Sequence, residues 1–250
     1  MKSIFKIGVS WKSREQKIIE IATQTWDFFY ALFLYDNILF QEMTLSKERK
    51  KSILIKMTEG NREENISKIA ETILIFSKSG IAKYEKEKNP TIEYSRPFGF
   101  SFVVSFMVNN KVVLSFIPKL GSDSGNGIGF VNQLFHHERS FNWYLDILKI
   151  MQNSTNATFG IMYSGGFKYD TNINYPLGFI TYFSNDYDVQ IPDNLEGFEY
   201  EYTSKGKYLI ATREDFTVSK EAYQEQKEKL LRTMEYLGKT VPGYLRSDEK

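Results

Sequence analysis

The chain has 250 residues, 42% apolar and 25% charged, with 32 Lys and Arg against 31 Asp and Glu for a net charge of +1. It has enough bulk to bury that disorder is excluded as its main state, and no global positive field marks it as a nucleic-acid binder. Zero cysteines exclude disulfide scaffolds, thiol catalysis and thiolate metal sites, and two adjacent histidines, His136 and His137, leave little for imidazole chemistry.

In chain order, Lys2 to Trp11 reads as a first strand through Ile4, Phe5, Ile7 and Val9. Its early charges interrupt any secretory apolar run. Ser13-Arg14-Glu15-Gln16 has the form of a capping box. The helix it opens carries Ile18, Ala22, Trp26, Phe29 and Phe33 on one face and should end near Tyr35-Asp36-Asn37. Asn61 and Glu64 form a second cap, ahead of Ile66, Ile69, Ala70 and Ile73, with Gly80 as the C′ residue.

From Phe100 the apolar period falls from 3.6 to 2. Phe100, Phe102, Val104, Phe106 and Val108 point one way, Asn109-Asn110 turns the chain, and Val112, Leu114 and Phe116 return, as in a two-residue hairpin. A helix from Ser140 carries Phe141, Tyr144, Leu145 and Leu148. Asn156 to Ser164, Leu177 to Ser184, Phe198 to Thr203 and Lys207 to Thr212 read as strands. A last helix runs from Ser219 to Leu237, with Tyr223, Leu230, Met234 and Leu237 inward and Gly238 stopping it. These elements do not alternate as βαβ units, so the class is α+β: a single domain over 1–250, with a mostly antiparallel sheet flanked by about four helices. No stretch approaches the roughly 20 apolar residues of a membrane span, so a soluble cytoplasmic protein with no membrane partner is expected.

Most motif-like segments fail on context. Gly238-Lys239-Thr240 copies the end of a phosphate-binding loop, but the earlier glycine position holds Thr233 and the tripeptide ends a helix instead of opening one. Gly121 to Gly129 lacks the dinucleotide spacing and reads as a flexible surface loop between strands. His136-His137-Glu138 cannot readily aim adjacent side chains at one metal. Ser164-Gly165-Gly166 lacks a nucleophile elbow. Neither cofactor nor metal is expected, and no catalytic residue is assigned.

Asn185 to Tyr202 is different. It holds Asp186, Asp188, Asp193, Glu196, Glu199 and Glu201, with no Lys or Arg before Lys205, interleaved with Tyr187, Phe198, Tyr200 and Tyr202. On a strand Phe198, Tyr200 and Tyr202 share one face, and Glu199 and Glu201 the other. This is either a solvated acidic surface or an aromatic-rimmed negative site for a basic partner. A rival reading is a small hydrolase using Asp186, Asp188 and Glu214, for which nothing fixes a pair of carboxylates at a defined separation.

Gly8-Val9-Ser10-Trp11, the helix rich in Trp26, Phe28, Phe29, Leu32 and Phe33, the segment Pro176-Leu177-Gly178-Phe179-Ile180-Thr181-Tyr182-Phe183-Ser184, and Leu209-Ile210-Ala211-Thr212 with Glu214 and Phe216 together resemble the immunity protein 52 family of bacterial polymorphic toxin systems. The resemblance implies a non-enzymatic protein that binds and blocks a cognate toxin, often one with a restriction-endonuclease-like nuclease domain. A surface that holds phosphates is positive, so an inhibitor of such a nuclease is expected to be locally negative. The expected contact set is therefore Asp186, Tyr187, Asp188, Asp193, Glu196, Glu199, Tyr200, Glu201 and Tyr202.

Overall fold

Residues of one register row share a face of a sheet. Across this protein one such row runs Glu199, Ile210, Ile180, Met162, Ile7, Phe130, Phe116, Val104, Leu45 and Ile53. The computed structural model that reveals it describes residues 5–12, 14–47, 52–84, 87, 89–108, 111–132, 140–164, 176–213 and 219–244. Its strands are β1 (Phe5–Trp11), β2 (Glu42–Ser46), β3 (Ile53–Lys56), β4 (Phe98–Ser101), β5 (Val103–Val108), β6 (Lys111–Ser122), β7 (Asn126–Asn132), β8 (Phe159–Ser164), β9 (Ile180–Ser184), β10 (Glu199–Thr203) and β11 (Gly206–Ile210). The helices are α1 (Ile18–Tyr35), α2 (Arg62–Tyr84), α3 (Phe141–Thr155) and α4 (Lys220–Thr240). The strands form one sheet in the order β10-β11-β9-β8-β1-β7-β6-β5-β2-β3, with β4 also on β6, and every pairing is antiparallel. The α+β class with four helices is what the sequence predicts.

The first face is the core side. Phe28 and Phe29 of α1 pack on Phe116, and Trp143 and Tyr144 of α3 pack on Phe130 and Phe5. Helix α2 lies along α1 and buries Ile66, Ile69, Ala70 and Ile73, the four positions expected. Among the described residues the opposite face is covered only at the β8–β11 end, by residues 185–198 and α4. Tyr187 packs on Phe159 and Phe183, Tyr223 on Phe179, and Leu177 N–H meets Met234 Sδ.

Several expectations are corrected. Helix α1 begins at Ile18, with Lys17 at the cap, because the N–H groups of Ile18 and Ile19 donate to Tyr94 and Ile92 carbonyls and Arg14 N–H is held by Ser122 O; Ser13 lies outside the described residues. Phe33 is only half-buried. Asn61 closes a 3-10 turn that runs directly into α2. Gly80 does not end α2, since fully buried Ile81 carries the helix to Tyr84. Likewise α4 continues through Gly238 to Thr240 under a Lys239–Glu235 pair at 2.6 Å, and stops at Val241-Pro242, where proline cannot continue it. The strand expected from Phe100 to Val108 is broken at Phe102 into β4 and β5, both paired to β6. Asn156 is not strand but the left-handed cap of α3, with φ of 50°. Gly121 to Gly129 is not a flexible loop: its ends belong to β6 and β7, and Asn126 Oδ1 closes the turn by accepting Ser122 N–H at 2.8 Å. Strands β2 and β3 were not anticipated. The caps at Ser140 and Ser219, and all four inward residues of α4, stand as expected.

Candidate partner-binding site

The acidic-aromatic stretch folds as two pieces. Residues 185–198 bury Val189, Ile191 and Leu195 against the second face, while Asp186, Asp188, Asp193 and Glu196 beside them are exposed. The chain then enters β10. There Tyr200 and Tyr202 stack with ring centroids 6.1 Å apart, on the face opposite Glu199 and Glu201, as alternation requires. Tyr200 is pinned: its hydroxyl donates to Pro192 O at 3.0 Å and accepts Leu195 N–H at 2.9 Å. Tyr202 is 63% exposed.

The sequence shows no base within the stretch, but the fold brings three. Arg213, just beyond β11, donates to Glu199 at 2.7 Å and also binds Glu201. Lys149 of α3 reaches Glu201 at 2.5 Å, and Lys207 of β11 reaches Asp193 at 2.5 Å. Burial alone would raise the Glu201 carboxyl, but hydrogen bonds from Lys149 and Arg213 outweigh it and hold the group below its ordinary value. The Lys207 hydrogen bond lowers Asp193 in the same way. Among the described residues Asp186, Asp188 and Glu196 remain as exposed carboxylates without an ion pair.

Beneath this surface the hairpin is tied to α3. Gln152 Nε2 donates to Tyr182 Oη at 3.1 Å, Tyr182 Oη donates to Lys205 O at 3.1 Å, and Tyr208 Oη donates to Gln152 Oε1 at 3.3 Å. Burial first, and the Asp186 charge second, push the Tyr182 phenol up to about 12, so it stays a neutral donor at physiological pH. Lys149, Gln152, Lys207 and Arg213 were not singled out from sequence. Only Arg213 had a local signal, a base directly after the partner strand.

Other predicted features contribute little. Asp186 and Asp188 sit on an exposed turn; Glu214, the third carboxylate of the hydrolase reading, lies outside the described residues, as do His136, His137, Glu138, Gly165 and Gly166. Among the described residues no group of three His, Asp or Glu could hold a metal ion, and no helix is long and apolar enough to cross a membrane. A groove of 740 Å³ separates Glu196 and Gly197 from Lys229, Arg232 and Tyr236 of α4.

No family model matches the chain, and no curated protein does. Among solved structures it is similar to a Pseudomonas aeruginosa T6SS protein, with a TM-score of 0.45 and 8% identity over 91% of this chain and 76% of the other.

Proposed function

We propose that this protein is an immunity protein that binds and neutralises a cognate toxin, of nuclease type, in the bacterial cytoplasm, through the surface from Asp186 to Tyr202. The observation that carries the reading is the pairing of three exposed carboxylates without ion partners, Asp186, Asp188 and Glu196, with the stacked Tyr200–Tyr202 platform on a strand pinned from below. The resemblance to the immunity protein 52 family supplies the partner. Free carboxylates attract a phosphate-binding, hence basic, toxin surface and speed encounter, while the tyrosines supply rigid contact area that slows release. Blocking a lethal enzyme requires nanomolar affinity or better, roughly −12 kcal/mol.

The test is association kinetics with a catalytically inactive form of the toxin domain encoded beside this gene. Asp186→Asn, Asp188→Asn and Glu196→Gln combined should slow association most at low salt. The difference should shrink where the Debye length falls to about 8 Å. Unchanged rates at every salt concentration reduce these carboxylates to a solvated surface, and no complex at all removes the immunity reading itself.

A further inference from the structure

Strand β10 ends the sheet, so one of its edges pairs with β11 and the other with no described strand. Which backbone groups lie on that free edge follows from the ladder. Asn185 N–H donates to Lys205 O and Ala211 N–H to Phe179 O, so the odd-numbered residues of this stretch bond towards β9. The even-numbered Gly206, Tyr208 and Ile210 therefore bond to their register partners Thr203, Glu201 and Glu199. Tyr200 and Tyr202 are left with both main-chain N–H and C=O groups directed outward. None of these four groups has a backbone partner among the described residues.

An open edge is a template for pairing, and proteins blunt it with lysine, proline, bulges or a covering segment. The opposite edge, β3, has four residues and carries Lys56. Strand β10 carries no lysine and no proline, and its register with β11 is unbroken. Its side chains suit a neighbour. Tyr200 and Tyr202 form a stacked pair on one face of this edge strand, with Tyr202 exposed, and cross-strand aromatic pairs are among the favourable ones.

Charge argues for the occupant. Asp186 lies by the turn of the β10–β11 hairpin, on its β9 side, where the preceding Asn185 bonds Ser204 O and Lys205 O, and Glu196 precedes the strand entrance, so a free carboxylate lies near each end of the hairpin. A second copy pairing antiparallel along β10 would bring the unpaired Asp186 and Glu196 of both copies together, which disfavours it. We infer that the toxin engages this protein by strand addition: an extended toxin segment, apolar or aromatic on the face that meets Tyr200 and Tyr202 and basic at its ends, pairs with the outer edge of β10. The inference rests on the immunity reading and deepens it, making the backbone of β10, and not the carboxylates alone, the recognition element.

Amide hydrogen exchange tests it, on the full chain alone and with the inactive toxin domain of the neighbouring gene. The Tyr200 and Tyr202 amides should exchange freely alone and slow by about tenfold or more in the complex, as newly hydrogen-bonded amides do. A complex in which they still exchange as in the free protein overturns strand addition while leaving the immunity reading intact. No complex overturns both. Protection in the free protein that grows with its concentration assigns the edge to a second copy and overturns the inference. Tyr202→Pro, which deletes one outward N–H, should weaken toxin binding roughly tenfold more than Tyr202→Ala, which removes only the ring. Equal losses locate the contact in the side chain and count against strand addition.

Discussion

The two ends of the sheet differ on one face only. Along a single register row the residues run Tyr200, Leu209, Thr181, Ile161, Gly8, Gly129 and Ile117. Leu209 and Thr181 are fully buried beneath the 185–198 segment and α4, whereas Ile117, at the other end, is 48% exposed. The neighbouring row behaves the same way, from buried Phe183 to Gly127 and exposed Lys119. Where described residues form a second layer, that face of the sheet carries Leu209, Thr181 and Phe183; where they form none, it carries glycine, serine and scattered apolar residues. The candidate binding surface sits on the doubly covered end. Burial of Val189, Ile191 and Leu195 anchors the segment that carries the exposed carboxylates, and a rigid support lowers the entropic cost of presenting a surface at binding.

The face shared by both ends sets the largest expected effect. Trp26 is buried on α1 and stacks on Tyr30 at 5.7 Å, so Trp26→Ala should cost about 3–5 kcal/mol in denaturant unfolding. A parent-like midpoint would mean that this core is held without it.

A matched pair then isolates the second face. Leu209→Ala, at the covered end, should cost about 2–5 kcal/mol, and Ile117→Ala, at the open end, less than about 0.5 kcal/mol. Gly206→Ala, on the shared face with Tyr208, should also be costly, because a Cβ there would lie 2.2 Å from Phe183 O, which cannot retreat without breaking the ladder. Similar costs for Leu209→Ala and Ile117→Ala would dissolve the comparison.

How much of this was legible from sequence follows the same division. Patterns of period 3.6 and 2 exposed the shared face, because Ile18, Ala22, Trp26 and Phe29, or Phe100 to Phe106, record one continuous burial direction. Ser140 and Ser219 marked helix starts because a cap is a local hydrogen bond. Strands β2 and β3 escaped notice because Glu42–Ser46 and Ile53–Lys56 are short, pair with each other, and join the sheet only through the contact of β2 with β5, some sixty residues away. The glycine-rich segment was misread because an uncovered sheet face tolerates glycines that composition alone assigns to a loop. At the candidate site the carboxylates and tyrosines were visible. Their neutralisation was not, since Lys149 lies 52 residues from Glu201.

The ion network offers a smaller effect, with a defined pH signature. Glu201→Gln should lower stability by roughly 1 kcal/mol near neutral pH. Because the folded carboxyl is held below its ordinary value, its contribution is present above about pH 4.5 and lost as pH falls through the folded value. Wild type and variant should therefore converge in melting temperature on acidification. A gap that persists at pH 2.5 would assign the loss to packing instead of charge.

The smallest effect comes from the open end and carries the opposite sign. Gly129 sits in the middle of β7 opposite Gly8, without a positive φ, and a Cβ built there meets nothing within 4 Å. The fold does not require glycine at that position, so Gly129→Ala removes unfolded-chain freedom at no steric cost and should raise stability by roughly 0.5 kcal/mol. Gly127, two residues earlier, is different: its added Cβ would lie 2.9 Å from Val9 O, so Gly127→Ala should be destabilising. Measuring the two alanine variants by thermal unfolding separates an uncovered face from a merely glycine-rich one. If Gly129→Ala destabilises as Gly127→Ala does, the second face is packed at this end too, and the difference between the two ends disappears.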